Sequence, residues 1–255
     1  DYDSKKSGGV TMSHLRFGKS PIKSTYLIRQ ANFVACHNPS YVDKYNMVQE
    51  LVDGGTFLLN CSWDMEGLEE HLPGQVKSYI ANHNIKFYTI DGIKIGKEIG
   101  LGGRINTVLQ SAFFKLAAII PEEEAIDLMK AAAKATYGRK GDKIVQMNYD
   151  AIDAGAKQVV EIAVPESWKD AADEGLTTPH VGEGGRADVV DFVKNIQAKV
   201  NAQEGNTLPV SAFNEYVDGS TPSGSSAYEK RGIAVDIPIW QPDNCIQCNR
   251  CAYVC

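Results

Sequence analysis

Gly54-Gly55-Thr56-Phe57-Leu58-Leu59-Asn60-Cys61 and, further on, Ile85-Lys86-Phe87-Tyr88-Thr89-Ile90 are the two stretches that decide the fold. Each is a short apolar run bounded by turn residues, with a glycine pair before the first and Asp91-Gly92 after the second, and each reads as a buried strand. Across residues 63–84, Leu68, Leu72, Val76 and Ile80 recur every four positions, a stripe that belongs on one face of a helix. Pro73 falls in the middle of that stripe. It lacks the amide a helix interior needs, so a break or kink is expected there. Strand, helix and strand in this order predict the α/β class, with a parallel sheet covered by helices on both faces.

Outward from this centre, residues 24–28 and 32–37 read as two further short strands. Residues 40–51 read as a helix on the spacing of Tyr41, Val42, Tyr45, Val48 and Leu51,. On the C-terminal side the pattern turns helical over 106–120, 121–137 and 142–162. Pro121 suits a first helical turn, and Glu122-Glu123-Glu124 suit the positive end of the helix dipole,. Gly138 and Gly141 mark the next junction,.

Past Pro165 the character changes. Residues 166–185 are polar and carry glycines, and read as a linker; 188–203 read as one helix; 218–226 as a flexible loop; 233–237 as a strand leading into a cysteine cluster,. The expected organisation is therefore an α/β domain over 1–167, a connecting segment over 168–226, and the opening of a ferredoxin-like domain over 227–255. No internal repeat is visible.

Bulk properties agree. The 255 residues are 43% hydrophobic and 23% charged, an ordinary globular composition with enough chain to bury a core. The formal net charge is −6 and the longest like-charge run is the glutamate triplet at 122–124, which gives no footprint for nucleic acid or a membrane surface. No apolar stretch has the roughly 18 residues a membrane span needs. The first residues, Asp1-Tyr2-Asp3-Ser4-Lys5-Lys6, lack both a starting Met and the apolar centre of a signal peptide,. With Cys255 as last residue, in the middle of a motif, the chain reads as a segment of something longer.

Four of the six cysteines fall in the last eleven residues as Cys245-x2-Cys248-x2-Cys251-x3-Cys255. Two-residue spacers let one tight loop present three thiolates to a 4Fe–4S cubane, and the run matches the bacterial ferredoxin pattern. On that pattern Cys245, Cys248 and Cys251 hold one cluster and Cys255 belongs to a second. The alternative is zinc, which prefers two Cys-x2-Cys hooks across a longer gap. Cys36 and Cys61 sit in strand-like apolar runs, where a buried inert thiol is expected,. A reducing cytoplasm fits all six.

Several stretches carry a family resemblance. Tyr2-Asp3-Ser4-Lys5-Lys6-Ser7-Gly8-Gly9-Val10-Thr11-Met12-Ser13-His14-Leu15-Arg16-Phe17-Gly18, Ser24-Thr25-Tyr26-Leu27-Ile28, Phe33-Val34-Ala35-Cys36-His37, Arg104-Ile105-Asn106-Thr107 and Tyr228-Glu229-Lys230-Arg231-Gly232-Ile233-Ala234-Val235 together resemble the pyruvate:ferredoxin (flavodoxin) oxidoreductases. That resemblance implies an enzyme that decarboxylates pyruvate on thiamine diphosphate with Mg and passes the acetyl group to coenzyme A. Electrons would leave through three 4Fe–4S clusters to ferredoxin or flavodoxin. It further implies a homodimer in the cytoplasm or an anaerobic organelle, with the thiamine domains outside this segment and the segment alone inactive.

The resemblance also directs attention to a coenzyme A site. Ser7-Gly8-Gly9 and residues 16–23 offer glycines for close backbone approach and three cations within eight positions, a mixture that suits a pyrophosphate and a 3′-phosphate,. There is no Walker A and no G-x-G-x-x-G pattern here, and a solvated basic loop is the plain alternative. Arg16 is the leading candidate on the resemblance, followed by Lys19, Asn106 and Asn148. A helix cap is the alternative for Asn106 and a surface amide for Asn148. His14 and His37 show no acid/base partner, and Trp63 reads as packing. The competing class of function is an iron–sulfur electron-transfer subunit with no oxoacid chemistry of its own. Flanking sequence with a second cysteine run and a thiamine-binding motif would favour the oxoacid enzyme.

Overall fold

A computed structural model describes residues 11–25, 27–172, 185–228 and 238–254. Four strands form one sheet in the order β1-β2-β3-β4: β1 Ala31–Cys36, β2 Leu51–Asn60, β3 Lys86–Ile90 and β4 Val160–Glu161. The first three are parallel, and the two-residue β4 pairs antiparallel with β3. The expected α/β class is what forms, with a mostly parallel sheet and flanking helices.

β2 shows why both faces are covered. Phe57, Leu59 and Cys61 enter one core, while Leu58 enters the other. A strand alternates its side chains, so a run apolar on both sides needs a layer on each. The first layer is α1 Met65–His71 and α2 Gly74–Asn82, which bury Leu68, Leu72, Val76 and Ile80. The four-residue stripe is thus one face, and Pro73 breaks it into two helices as expected. The second layer is α3 Gly92–Ile99, α4 Asn106–Ala117 and α6 Asp142–Lys157, burying Ile95, Val108, Leu109, Ala112 and Ala151 against Leu58 and Ile90. α5 Glu122–Tyr137 packs outside, its Met129 and Ala133 against Ile152 of α6.

Capping sets the ends. Asp64 Oδ1 accepts from the Gly67 amide at 2.9 Å, and Asp91 Oδ1 from the Lys94 amide at 2.9 Å. Gly100, at φ +90°, ends α3 in the left-handed conformation glycine favours,. Gly54 and Gly55 lie inside β2 and not ahead of it. The register jumps from Ala31 opposite Leu51 to Phe33 opposite Thr56. Gly54 takes φ +71° in that bulge, and a Cβ on Gly55 would meet the Val52 carbonyl at 2.8 Å,.

Four expectations are corrected. Residues 24–25 and 27–28 join no strand. Residues 40–51 are not a helix: after a 3₁₀ turn at Pro39–Tyr41 the chain forms an irregular crossover that buries Val42 and Val48 and enters β2 at Leu51. The helix expected to reach 162 stops at Lys157, because Val160–Glu161 leaves to pair with β3. The linker expected at 166–185 begins with a 3₁₀ turn, Glu166–Asp170, whose Trp168 is 1% exposed and belongs to the first core. The expected strand at 233–237 lies outside the described residues.

The helix expected at 188–203 forms as α7 Ala187–Phe192, a widened π turn Val193–Gln197 and α8 Ala198–Asn201. Its buried side packs Phe192 edge-on to Tyr216 at 5.0 Å, and Gln197 Nε2 donates to the Ser225 carbonyl at 2.9 Å. Two compact units are distinguished: one of Ser13–Lys230, the other of Asp1–Met12 and Arg231–Cys255. In the second, the described residues include the short helix α9 Arg250–Val254.

Candidate functional site

The carboxyl edge of the parallel strands, where open α/β sheets hold their ligands, is organised by Asn60. This buried amide donates from Nδ2 to the His37 carbonyl at 2.8 Å and accepts on Oδ1 from the Gly92 amide at 2.9 Å. One side chain thereby joins the end of β1, the end of β2 and the start of α3. Sequence reading placed it inside a buried strand, and a strand pattern does not reveal which backbone groups a lone amide joins. Cys36 and Cys61 flank it, both buried, and burial pushes their thiols up to about 12 and about 11. The expectation of inert core thiols is met. Trp63 packs on the first core with its ring 4.7 Å from that of His71.

Arg16 belongs to a loop that folds back on itself. Its Nη2 donates to the Ser24 carbonyl at 3.2 Å, and the Ile28 amide donates to His14 Nδ1 at 3.1 Å. Arg16, Ile22, Lys23, Ser24 and Thr25 line an open cleft of about 470 Å³. Two cations over an apolar wall can receive an anion. Lys19 is exposed on the same loop but does not line the cleft. Ser7-Gly8-Gly9 lie outside the described residues.

The two asparagines sit elsewhere. Asn106 is the first residue of α4, exposed, while Ile105 holds the cap position without a side-chain bond. Asn148 is buried on α6, donating from Nδ2 to the Ile144 carbonyl at 2.8 Å and accepting from Thr107 Oγ1 at 3.4 Å. It is therefore neither a surface amide nor open to solvent.

Cys245, Cys248 and Cys251 are free and exposed. Gln247 and Asn249 take φ +56° and +58°, which turns the chain sharply between the thiols,. Trp240 and the backbone amide of Gln247, the latter 3.4 Å from Cys245 Sγ, hold the Cys245 thiol below its usual value. Donors aimed at a sulfur favour thiolate, the form that ligates metal, so the donor set fits an iron–sulfur cluster in kind. Among the described residues no three His, Cys, Asp or Glu side chains are gathered closely enough to hold a metal ion. Cys255 lies outside the described residues.

The mostly parallel sheet puts the chain in the α/β class, and its cysteine run has ferredoxin-type spacing,. Comparison with known proteins gives the family. Residues 1–158 match the family described as pyruvate ferredoxin/flavodoxin oxidoreductase, and residues 183–234 match EKR, a domain of unknown function. The chain is 51% identical over 254 residues to the pyruvate-flavodoxin oxidoreductase of Enterobacter agglomerans and 52% identical to the pyruvate:ferredoxin oxidoreductase of Moorella thermoacetica. All of this chain is matched in both, and 21% of each relative, so it spans about a fifth of their length. Among solved structures, pyruvate oxidoreductase subunit PORC of Thermotoga maritima aligns with a TM-score of 0.42 at 16% identity, over 52% of this chain and 66% of that one. The chain belongs to the pyruvate ferredoxin/flavodoxin oxidoreductase family. No helix among the described residues is long and apolar enough to cross a membrane.

Proposed function

We propose that this chain is a segment of a 2-oxoacid oxidoreductase that converts pyruvate and coenzyme A to acetyl-coenzyme A, CO2 and two electrons. The observation that carries the reading is identity above 50% along the entire chain to relatives named as pyruvate-flavodoxin and pyruvate:ferredoxin oxidoreductases.

Within the reaction, residues 1–167 would form the coenzyme A-associated domain, 168–226 the connection, and 227–255 the start of the ferredoxin-like domain. Arg16 is the anchor for a coenzyme A phosphate, with Lys19, Asn106 and Asn148 as further contacts. To serve, Asn148 has to exchange its Thr107 hydrogen bond for one to the ligand. Cys245, Cys248 and Cys251 hold one 4Fe–4S cluster and Cys255 serves another; when bound, such clusters carry one electron at a time toward ferredoxin or flavodoxin. Thiamine diphosphate and Mg belong to parts of the polypeptide outside this segment. A homodimer in a reducing cytoplasm, or in an anaerobic organelle, completes the reading.

Two substitutions in the full-length parent protein test it. Losing one charge-assisted contact costs about 1.5–3 kcal/mol, so Arg16→Ala should raise the KM for coenzyme A roughly ten- to a hundredfold. Pyruvate-driven reduction of the clusters should be unchanged. If both fall together, Arg16 is structural; if neither moves, it is a surface residue. Cys248→Ala should lower iron and acid-labile sulfide by one cluster. Stoichiometric zinc without sulfide removes the cluster assignment.

A further inference from the structure

Across the α/β body, residues 31–172, large apolar side chains are well hidden, with Met65, Ile119, Leu128 and Val160 the exposed ones. Residues 13–29 do the opposite in a much shorter span. Leu15, Phe17, Ile22 and Leu27 are 66%, 52%, 52% and 69% exposed. Yet the segment is no loose tail, because the His14–Ile28 and Arg16–Ser24 hydrogen bonds close it into a loop. These bonds tie the segment together through polar atoms while its apolar side chains stay exposed. A loop fixed in advance loses less conformational freedom when it docks.

The charge on this loop is one-sided. Arg16, Lys19, Lys23 and Arg29 fall in it, and no Asp or Glu occurs from residue 11 to 42, in a chain of net charge −6. We propose that residues 13–29 are a docking arm that packs Leu15, Phe17, Ile22 and Leu27 against an acidic-rimmed apolar surface elsewhere in the same, longer polypeptide. Two observations select that occupant. The relatives carry nearly four-fifths of their length outside the matched region, so a surface of the same polypeptide is present at fixed high effective concentration. A second copy of the arm is disfavoured, since a two-fold contact would set one cation cluster against its own copy. The arm shares Arg16, Ile22 and Lys23 with the cleft of the coenzyme A reading, so the test is run with and without coenzyme A to tell the two apart.

The test uses the intact parent protein at high dilution. Zero-length carbodiimide coupling, read by mass spectrometry, should join Lys19 or Lys23 to an Asp or Glu outside residues 1–255 of the same copy. Radical footprinting should label Phe17 and Leu27 at least tenfold more slowly than in the urea-unfolded protein, with or without coenzyme A. The double variant Leu15→Glu/Leu27→Glu should restore the labelling of Phe17. Labelling of wild-type Phe17 at the unfolded rate overturns the proposal. So do links confined to residues 1–255, links between isotopically distinct copies, or protection that arises only when coenzyme A is added.

Discussion

Burial holds the Cys36 thiol up at about 12 and Cys61 at about 11, whereas Cys245, Cys248 and Cys251 stand in solvent. Alkylation proceeds through the thiolate. At pH 8, fewer than about one in a hundred of either buried thiol is ionised, so iodoacetamide should leave Cys36 and Cys61 unmodified until the chain unfolds. Peptide mapping of cluster-free protein should show the three exposed thiols modified first; early loss of Cys36 would mean that the β1 edge opens readily. Glu69 gives a second test. Trp168 Nε1 donates to its carboxylate and Lys77 Nζ pairs with it at 3.1 Å, and these contacts lower the Glu69 pKa. A carboxyl depressed in the folded state stabilises above its unfolded value, about 4.3, and loses that contribution as pH falls through the lower folded value. The side chain is half-exposed, so the effect is modest,. Glu69→Gln should flatten the acid limb of a urea-midpoint against pH curve below about pH 5 and leave the neutral limb nearly level. An unchanged acid limb would place the titrating group elsewhere.

Helix contacts made by backbone explain much of what the sequence hid. α4 and α6 meet where a Cβ on Gly155 would lie 2.3 Å from the Val108 carbonyl, beside the 2.6 Å hydrogen bond from Ser111 Oγ to the Ile152 carbonyl. Gly155→Ala should therefore destabilise the chain by about 1–3 kcal/mol in denaturant unfolding, through forced separation of the helices. No change would show that the pair slides apart freely. Glycines of this kind read as loop, and α3 went unseen for that reason. A Cβ on Gly92 would lie 3.0 Å from Asn60 Oδ1 and one on Gly96 2.5 Å from the Gly102 carbonyl, so each serves packing and not flexibility. The helix signals were nonetheless present, with Asp91 at its start and Gly100 at its end. β2, β3 and the Pro73 break were legible because apolar runs and a missing amide act locally. Residues 40–51 misled in the other direction. Val42 and Val48 are as buried as helix spacing demands, but they belong to a crossover that must return from the end of β1 to the start of β2. The cysteine run was readable from spacing alone. What Arg16 touches depends on a carbonyl eight residues away, and no periodicity announces that.

For the whole molecule, size sets what this chain can do. It spans about a fifth of its relatives, and its described residues offer a cleft of cations, a buried amide at the sheet edge and exposed thiols, while the His83–Asp53 pair, 2.7 Å apart, stands at the surface. Residues 1–255 alone, supplied with thiamine diphosphate and Mg, should release no CO2 from isotopically labelled pyruvate. Release at the parent's rate would move the reaction centre into this segment. Trp168 has a further consequence at this scale. It closes the first core, 6.3 Å from the Phe87 ring and 1% exposed, from a turn roughly 80 residues after β3. During synthesis at about 5–20 residues per second, some 4–16 s pass between the emergence of β3 and that of its last covering side chain. For those seconds the part of the Phe87 face that Trp168 covers stays open to solvent behind α1 and α2, and a nascent chain stalled in that interval would be a natural client for ribosome-bound chaperones.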